Sequence, residues 1–519
     1  MKNLKKVLAL VLAFACAFTM FAGAAFTDEA DIKATDAVNM LTALGVIEGD
    51  PDGSFRPDAT VTRAEMAKMI FVVRNNTIDD SAYENNSSKL TDINSHWAKG
   101  YIKFCESQGI IAGYGDNTFK PDATVTGVEA AKMLLVLAGY DADKAGLVGH
   151  NWSTNTLKYA GSAGLLDDVN SGLEQGLPRQ YAAQMIYNTL DTNRVKWSND
   201  SQSFDDILNG GVKETVGKAY MGLSSDVGTL ISIDRDSLTI KLDESYDSDN
   251  YHKIARYDDV TFTKVSEDYT SLLGQKVKVM FKDEKTNNVL GVYSISDNTV
   301  YTTLMNGVEK DGAKIKFGGK SYSIDGTKIA TTFISVDGAQ AEKAQSLDYF
   351  DKGAALNENE SNGNLSTDEV TFVDANGNGK IDTAIVFEKL VGEVTYVSSD
   401  KITAGSKTYK FEDENIDEDI EQDDWAVVSA NLYEDCKDVV KADIISTTLD
   451  GSRDKNDKIN GDYKQYKLDG TWYNISDENA SDVSNGDSVK AYVVNGVIVK
   501  IKSDDGRSEE HTSELQSPI

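Results

Sequence analysis

The chain has 519 residues, with 84 Asp and Glu against 52 Lys and Arg and a formal net charge of -32. That charge excludes a nucleic-acid binder, because phosphate backbones select basic surfaces, and it draws divalent cations towards the surface. With 40% hydrophobic residues the composition is globular, and the length implies several domains.

Lys2, Lys5 and Lys6 precede an apolar run from Val7 to Phe21, and Ala22-Gly23-Ala24 follows it. A positive start, a short apolar run and small residues predict an export signal over residues 1–24, removed to leave a start near Ala25. The run is short of the roughly 20 residues that span a bilayer. Cys16 lies within it, but Ala13-Phe14-Ala15-Cys16 is a poor lipidation motif. Only Cys105 and Cys436 then remain, in segments of different character, which predicts no disulfide. No later segment is long or apolar enough to cross a membrane.

Internal repeats dominate the next 165 or so residues. Gly45 to Val73 aligns without a gap on Gly109 to Leu137, identical at about half its positions. The match extends back to Phe26-Thr27-Asp28 over Leu90-Thr91-Asp92. A weaker third copy has Asn151-Trp152 under His96-Trp97, Ala163-Gly164-Leu165-Leu166 under the Gly-Ile-Ile corner, and Pro178-Arg179-Gln180-Tyr181 under Thr62-Arg63-Ala64-Glu65. The repeats are assigned to 26–80, 88–142 and 147–192. Each reads as helix, loop, helix. Val38, Leu41 and Leu44 share one helical face, and Gly45 supplies the stop. Phe55 plugs the loop and Pro57 keeps it extended. Thr62 with Glu65, and Thr126 with Glu129, read as capping boxes opening the second helices. A two-helix unit of this size cannot bury its apolar face alone, whereas three packed together can.

The pattern Asp…His-Trp-Ala…Gly-Ile-Ile-x-Gly…Asp-x-x-Phe-x-Pro-Asp-Ala-x-Val-Thr-Arg-Ala-Glu resembles the S-layer-homology family over residues 26 to 190. The resemblance implies an all-α, pseudo-threefold domain of three repeats that binds a pyruvylated secondary cell-wall polymer of peptidoglycan. By that resemblance Thr62, Arg63, Arg179, Trp97 and Trp152 are the candidate polymer-binding residues. The chemistry is coherent: a guanidinium meets a ketal carboxylate through paired hydrogen bonds, and an aromatic ring covers a sugar's apolar face. Gly127 stands where the second repeat would carry its arginine, so that groove is expected to be weak or silent. Structural readings stand beside these. Glu65 and Glu129 serve as caps, Trp97 and Trp152 could be interhelical packing, Arg63 could pair with an acidic neighbour, and Cys105 aligns with Leu41 and Ala160 as a buried, inert thiol.

A polar connector is expected over 193–220. Beyond it the period changes to two, as in Leu238-Thr239-Ile240-Lys241-Leu242 and Val277-Lys278-Val279-Met280-Phe281. A loose repeat predicts all-β modules, barrel-like or sandwich-like, at 221–300, 301–390, 391–450 and 461–506. Asn495-Gly496 between Val489–Val494 and Val497–Ile501 suits a type I′ hairpin. Asp374, Asn376, Asn378 and Asp382, with Gly379, match the first half of a calcium loop, although Ile385 stands where its last Glu belongs. Two readings stand for this segment: a Ca2+ site, or a plain turn between strands. Arg507 to Ile519 looks like a translated sequencing adapter, and the natural chain is expected to continue differently past about Gly506.

Four histidines supply no metal cluster and no nucleophile–base pair, and no enzyme signature emerges. The expectation is a non-catalytic protein of the cell wall or surface layer, exported, and capable of lateral self-association. The alternative is a wall-tethered enzyme or glycan-binding protein whose working domain lies beyond residue 506.

Overall fold

The computed structural model describes residues 26–242, 259–265, 267–294, 298–350, 368–457, 461–475 and 482–504. The expected export signal and the adapter-like tail lie outside these residues. The helical region contains α1 (Thr35–Ala43), α2 (Arg63–Asn75), α3 (Lys99–Ser107), α4 (Gly127–Leu137), α5 (Trp152–Ser162) and α6 (Arg179–Asp191). No helix among the described residues is long and apolar enough to cross a membrane.

Two of the second helices start on capping boxes. The Thr62 side chain accepts from the Glu65 N–H while Glu65 accepts from the Thr62 N–H, and Thr126 and Glu129 repeat the arrangement. Each satisfies two helix-end donors that would otherwise be left without a partner, a contribution of about 1 kcal/mol. The third copy has Pro178 at that position, and no side chain caps α6.

The helices of one repeat do not chiefly pack on each other. Instead α2 packs on α3, α4 on α5, and α6 returns to α1, so each second helix buries its face against the first helix of the next repeat. At the centre, three short extended segments bond in a closed ring. Val125 N–H donates to Val61 O at 2.9 Å, Leu177 N–H to Val125 O at 2.9 Å, and Val61 N–H to Leu177 O at 3.0 Å. Val61, Val125 and Leu177 are all buried. The corner after each first helix is also repeated: Gly45, Gly109 and Gly164 have φ of +66°, +70° and +73°. The following residue donates to Leu41 O, Cys105 O or Ala160 O in the three copies. Cys105 is fully buried beneath this corner, and burial pushes its thiol well above the ordinary range.

Two aspartates hold the loops. Asp28 accepts the N–H groups of Phe55 and Arg56, and Asp92 those of Phe119 and Lys120, at 2.7–2.8 Å. These bonds seat Phe55 and Phe119, both at most 1% exposed, in the core.

The expected polar connector is structured. Val195–Ser198 pairs with Ser203–Asp206, Leu208–Asn209 pairs with Val212–Lys213, and α7 (Val216–Met221) follows. Val216 and Met221 join the helical core, which explains why a segment polar on average is nonetheless ordered. The β region continues with a five-stranded sheet from Leu223–Asp234 to Val289–Ser294. A five-stranded and a four-stranded sheet lie between 299 and 387, a six-stranded sheet between 390 and 441, and a closed barrel between 443 and 503. The last boundary falls at Ala442 rather than near 450. One strand, Asp443–Asp457, pairs with both Gly461–Leu468 and Ser488–Val494 and so belongs wholly to the barrel. Asn495 and Gly496 have φ of +49° and +77°, as a type I′ turn requires.

Burial works to raise the Asp92 carboxyl, but its backbone N–H donors prevail and hold it below the usual value. A carboxyl that ionises more readily folded than unfolded stabilises fully above about pH 4, and that stabilisation is lost as pH falls through the folded value. Asp92→Asn is therefore expected to lower the melting temperature at pH 7 and to flatten its fall below pH 4. Thermal melts followed by circular dichroism across pH 2–7 would check both.

Candidate functional site: a basic inter-repeat groove

Cyclic packing brings each Thr-Arg segment against the loop of the neighbouring repeat. Arg63, at the start of α2, is 4% exposed. Its Nε donates to Phe119 O at 2.9 Å, Nη1 to Glu129 Oε1 at 3.0 Å and Nη2 to Ala112 O at 3.3 Å. Its guanidinium carbon lies 4.6 Å from the Phe119 ring centroid and 5.1 Å from that of Tyr114. Glu129 therefore acts both as helix cap and as partner of Arg63, so two readings that the sequence separates coexist in one side chain.

Lys132, one turn further along α4, was not evident from the sequence as a site residue. Burial first, and repulsion from Arg63 second, hold its ammonium below the ordinary lysine value, with Glu129 opposing. Its Nζ lies 5.6 Å from the Trp152 ring centroid. Lys120 Nζ sits 4.3 Å over Tyr114, which is 40% exposed. Arg63, Lys120 and Lys132 outnumber Glu129 and Asp116, which faces Lys120, and leave this patch positive on a strongly acidic chain; Tyr114 lies against Arg63 and Lys120, and Trp152 against Lys132. The available signal was a lysine recurring at the same repeat position, Lys68 and Lys132, inside an otherwise apolar helix face.

The equivalent site between the third and first repeats has the same frame and different charges. Arg179 stacks 5.1 Å from the Phe55 centroid and donates to Glu48 O at 3.2 Å. Its Nη1 is 3.9 Å from Glu65, and its Nε is buried without a hydrogen-bond partner among the described residues. Here Arg56 pairs with Asp50 and Lys68 with Glu48, so the cations are matched by carboxylates. Ala112 and Tyr114 replace Glu48 and Asp50 in the other groove, which is why that one remains positive.

The remaining sequence candidates fall as follows. Thr62 is engaged in its capping box. Trp152 is half-buried against Lys132, whereas Trp97 is 57% exposed, beside His96 and edge-on to Tyr101. Interhelical packing does not account for Trp97. Gly127 opens α4, and a Cβ there would lie 2.8 Å from Leu173 Cδ2 and 3.0 Å from its Cα. Leu173 thus fills the space that an arginine would need. Asp374, Asn376, Asn378 and Asp382 share the turn between Glu369–Asp374 and Thr383–Phe387. Glu434, Cys436 and Asp438 are a further group within metal-ligand reach of one another, among the described residues.

Comparison with known proteins agrees with this frame. The S-layer homology domain model matches residues 25–67 and 89–131, and the chain carries S-layer homology repeats at those positions. It is similar to the Surface layer protein of Brevibacillus choshinensis, 27% identical over 332 residues, covering 58% of this chain and 28% of that protein. It is also similar to the Middle cell wall protein of Brevibacillus brevis, 28% identical over 228 residues, covering 42% and 21%. Exoglucanase XynX of Acetivibrio thermocellus is 28% identical over 180 residues, covering 32% and 16%. The chain thus spans under a third of the length of each of these relatives. The third copy, 147–192, lies outside the matched residues, although α5 and α6 complete the ring.

Removing one member of a buried ion pair leaves the other charge unmatched, at a cost of about 3 kcal/mol or more. Arg63→Ala is expected to lose that much stability in urea unfolding, and Arg179→Ala clearly less, because its pair is long and partly solvated. Gly127→Arg is expected to destabilise the helical region, not to create a third groove. Even Gly127→Ala should cost about 1–3 kcal/mol by overpacking against Leu173, readable in the same unfolding curves.

Proposed function

We propose that the helical region anchors the chain to the bacterial cell wall by binding an anionic secondary polymer of peptidoglycan, of the pyruvylated class. The supporting observation is the patch of Arg63, Lys120 and Lys132, net positive on a chain of net charge -32 and walled by Tyr114 and Trp152. A fixed carboxylate on a sugar needs cationic donors to meet it and an aromatic surface for the ring's apolar face. Lys132, half-buried, is the more accessible charge, and Arg63 is the buried support that raises the local potential. Arg179 marks a second groove whose cations are offset by Glu48, Asp50 and Glu65, so its affinity is lower. In this reading the three repeats form a pseudo-threefold wall-binding domain, and the exported chain is a non-catalytic component of the surface layer. The β modules face outward and associate laterally.

The Exoglucanase XynX relative supports a second reading, in which the same anchor tethers a catalytic or glycan-binding domain. Under it the β modules are spacers, and wall binding is unchanged.

The test is sedimentation of the full chain with purified wall sacculi, before and after acid removal of the secondary polymer. Binding is expected to be lost on stripping and to fall at least tenfold in a Lys132→Ala, Trp152→Ala double variant. That variant should keep its helical circular dichroism. Binding of parental strength to stripped sacculi, or by a folded double variant, would overturn the proposal.

A further inference from the structure

One carboxylate oxygen in the β region is buried without a partner. Asp374 closes the strand Glu369–Asp374 and is 4% exposed. Its Oδ2 accepts the Gly379 N–H at 2.7 Å, while Oδ1 is buried and has no hydrogen-bond partner among the described residues. Leaving an ionised oxygen unmatched inside a protein is costly, more so than for a neutral group. The bond from Gly379 to Oδ2 fixes the carboxylate against the loop that follows, near enough to Asp382 for the two carboxylates to repel each other.

The loop is lined with oxygen. Asp382 accepts the Ala375 N–H through Oδ2 at 2.8 Å and the Asn376 side-chain amide through Oδ1 at 3.1 Å. Asn376 Oδ1 accepts the Asn378 N–H at 3.1 Å, and Asn378 Oδ1 accepts the Lys380 N–H at 2.9 Å. Each of these oxygens retains a further lone pair. Gly377 and Gly379, with φ of +68° and +78°, allow the chain to curl around the centre. Lys380, the basic residue of the loop, is turned to Asp325 at 3.6 Å.

We propose that residues 374–382 bind a calcium ion, with Asp374 Oδ1, Asn376, Asn378, the Lys380 carbonyl and Asp382 as its oxygen ligands. Their spacing is that of positions one, three, five, seven and nine of a calcium loop, and the Asp374–Gly379 bond supports the turn at position six. Ile385, at position twelve, is 2% exposed in a hydrophobic cluster and supplies no ligand, so water completes the shell. Fewer charged ligands place the affinity in the extracellular range, with Kd on the order of 10⁻⁴–10⁻³ M. Magnesium is smaller, demands regular octahedral geometry and gives up water reluctantly, so calcium is the better match.

The ion would join two sheets. Glu369–Asp374 and Thr383–Phe387 belong to the five-stranded sheet, whereas Lys380–Ile381 pairs in parallel with Lys320–Ile324 in the four-stranded sheet. A cation on this loop holds both faces of the module in register without a disulfide.

The full chain, stripped with EDTA, would be titrated with CaCl2 or MgCl2 and followed by melting temperature and by terbium luminescence. Tyr301, paired across from Phe372 on the neighbouring strand, lies close enough to sensitise terbium. Calcium is expected to raise the melting transition by several degrees, with magnesium giving less than half the shift. Asp374→Asn should abolish the shift and the luminescence. Its metal-free melting temperature should stay at or above the parent's, because the substitution removes an unmatched buried charge. Asp413→Asn, in an exposed acidic stretch elsewhere, should respond as the parent does. If Asp374→Asn proved unfolded, Asp382→Asn would be read by the same luminescence. A parent with no calcium response, or an equal response in the folded Asp374→Asn variant, would overturn the site.

Discussion

A two-helix repeat has an apolar face too small to enclose, and the helical region resolves this by exchange between repeats. Each second helix packs on the first helix of the next copy, and the last pair closes the circuit. The ring of hydrogen bonds among Val61, Val125 and Leu177 pins the three copies at the centre, where each backbone donor is satisfied by another repeat. No single repeat can complete either its core or its central backbone bonds, so stability is a property of the set. This is why the third copy persists structurally although its sequence has drifted: α6 is needed to cover α1 even without a capping glutamate.

The same exchange creates the grooves. An arginine at the start of one helix reaches the loop, aromatic ring and glutamate of the neighbouring copy, so every groove is built from two repeats. Two substitutions, Glu48 to Ala112 and Asp50 to Tyr114 in repeat terms, turn a charge-balanced groove into a positive one. On a chain carrying so much negative charge, that local reversal makes the groove more favourable to an anion than its charge-balanced counterpart. A desolvated lysine between an arginine and a tryptophan is destabilised in its charged state, a stress that an anion would relieve under the proposed function.

The β region follows a different logic. Among the described residues its modules are open sheets of four to six strands, ending in one closed barrel that has no free edge. Hydrophobic clusters bridge adjacent modules: Ile334, Ile385 and Leu432 join the core of the first sheet. The helical core likewise takes in Met280 and Tyr293 from that sheet. Successive modules therefore share apolar contacts and do not hang as beads on linkers, which suits a chain with no disulfide among its described residues.

Repeat register, helix starts, the buried aromatics Phe55 and Phe119 and the hairpin at Asn495-Gly496 were all legible in the sequence. Each depends on neighbours a few residues apart: a capping box spans three positions and a type I′ turn two. The period of two located the β strands but not their partners. Asp443–Asp457 could not be assigned to the barrel from its own residues, because that membership is decided by pairing with two distant strands. The site divides in the same way. Arg63 and Trp152 carry a recognisable pattern, but burial of Arg63 against Glu129, the placing of Lys132 beside Trp152 and the filling of the Gly127 space by Leu173 depend on contacts between repeats. Local chemistry determined which elements form; the net charge at each groove, and the unmatched oxygen of Asp374, were decided only when distant segments met and excluded water.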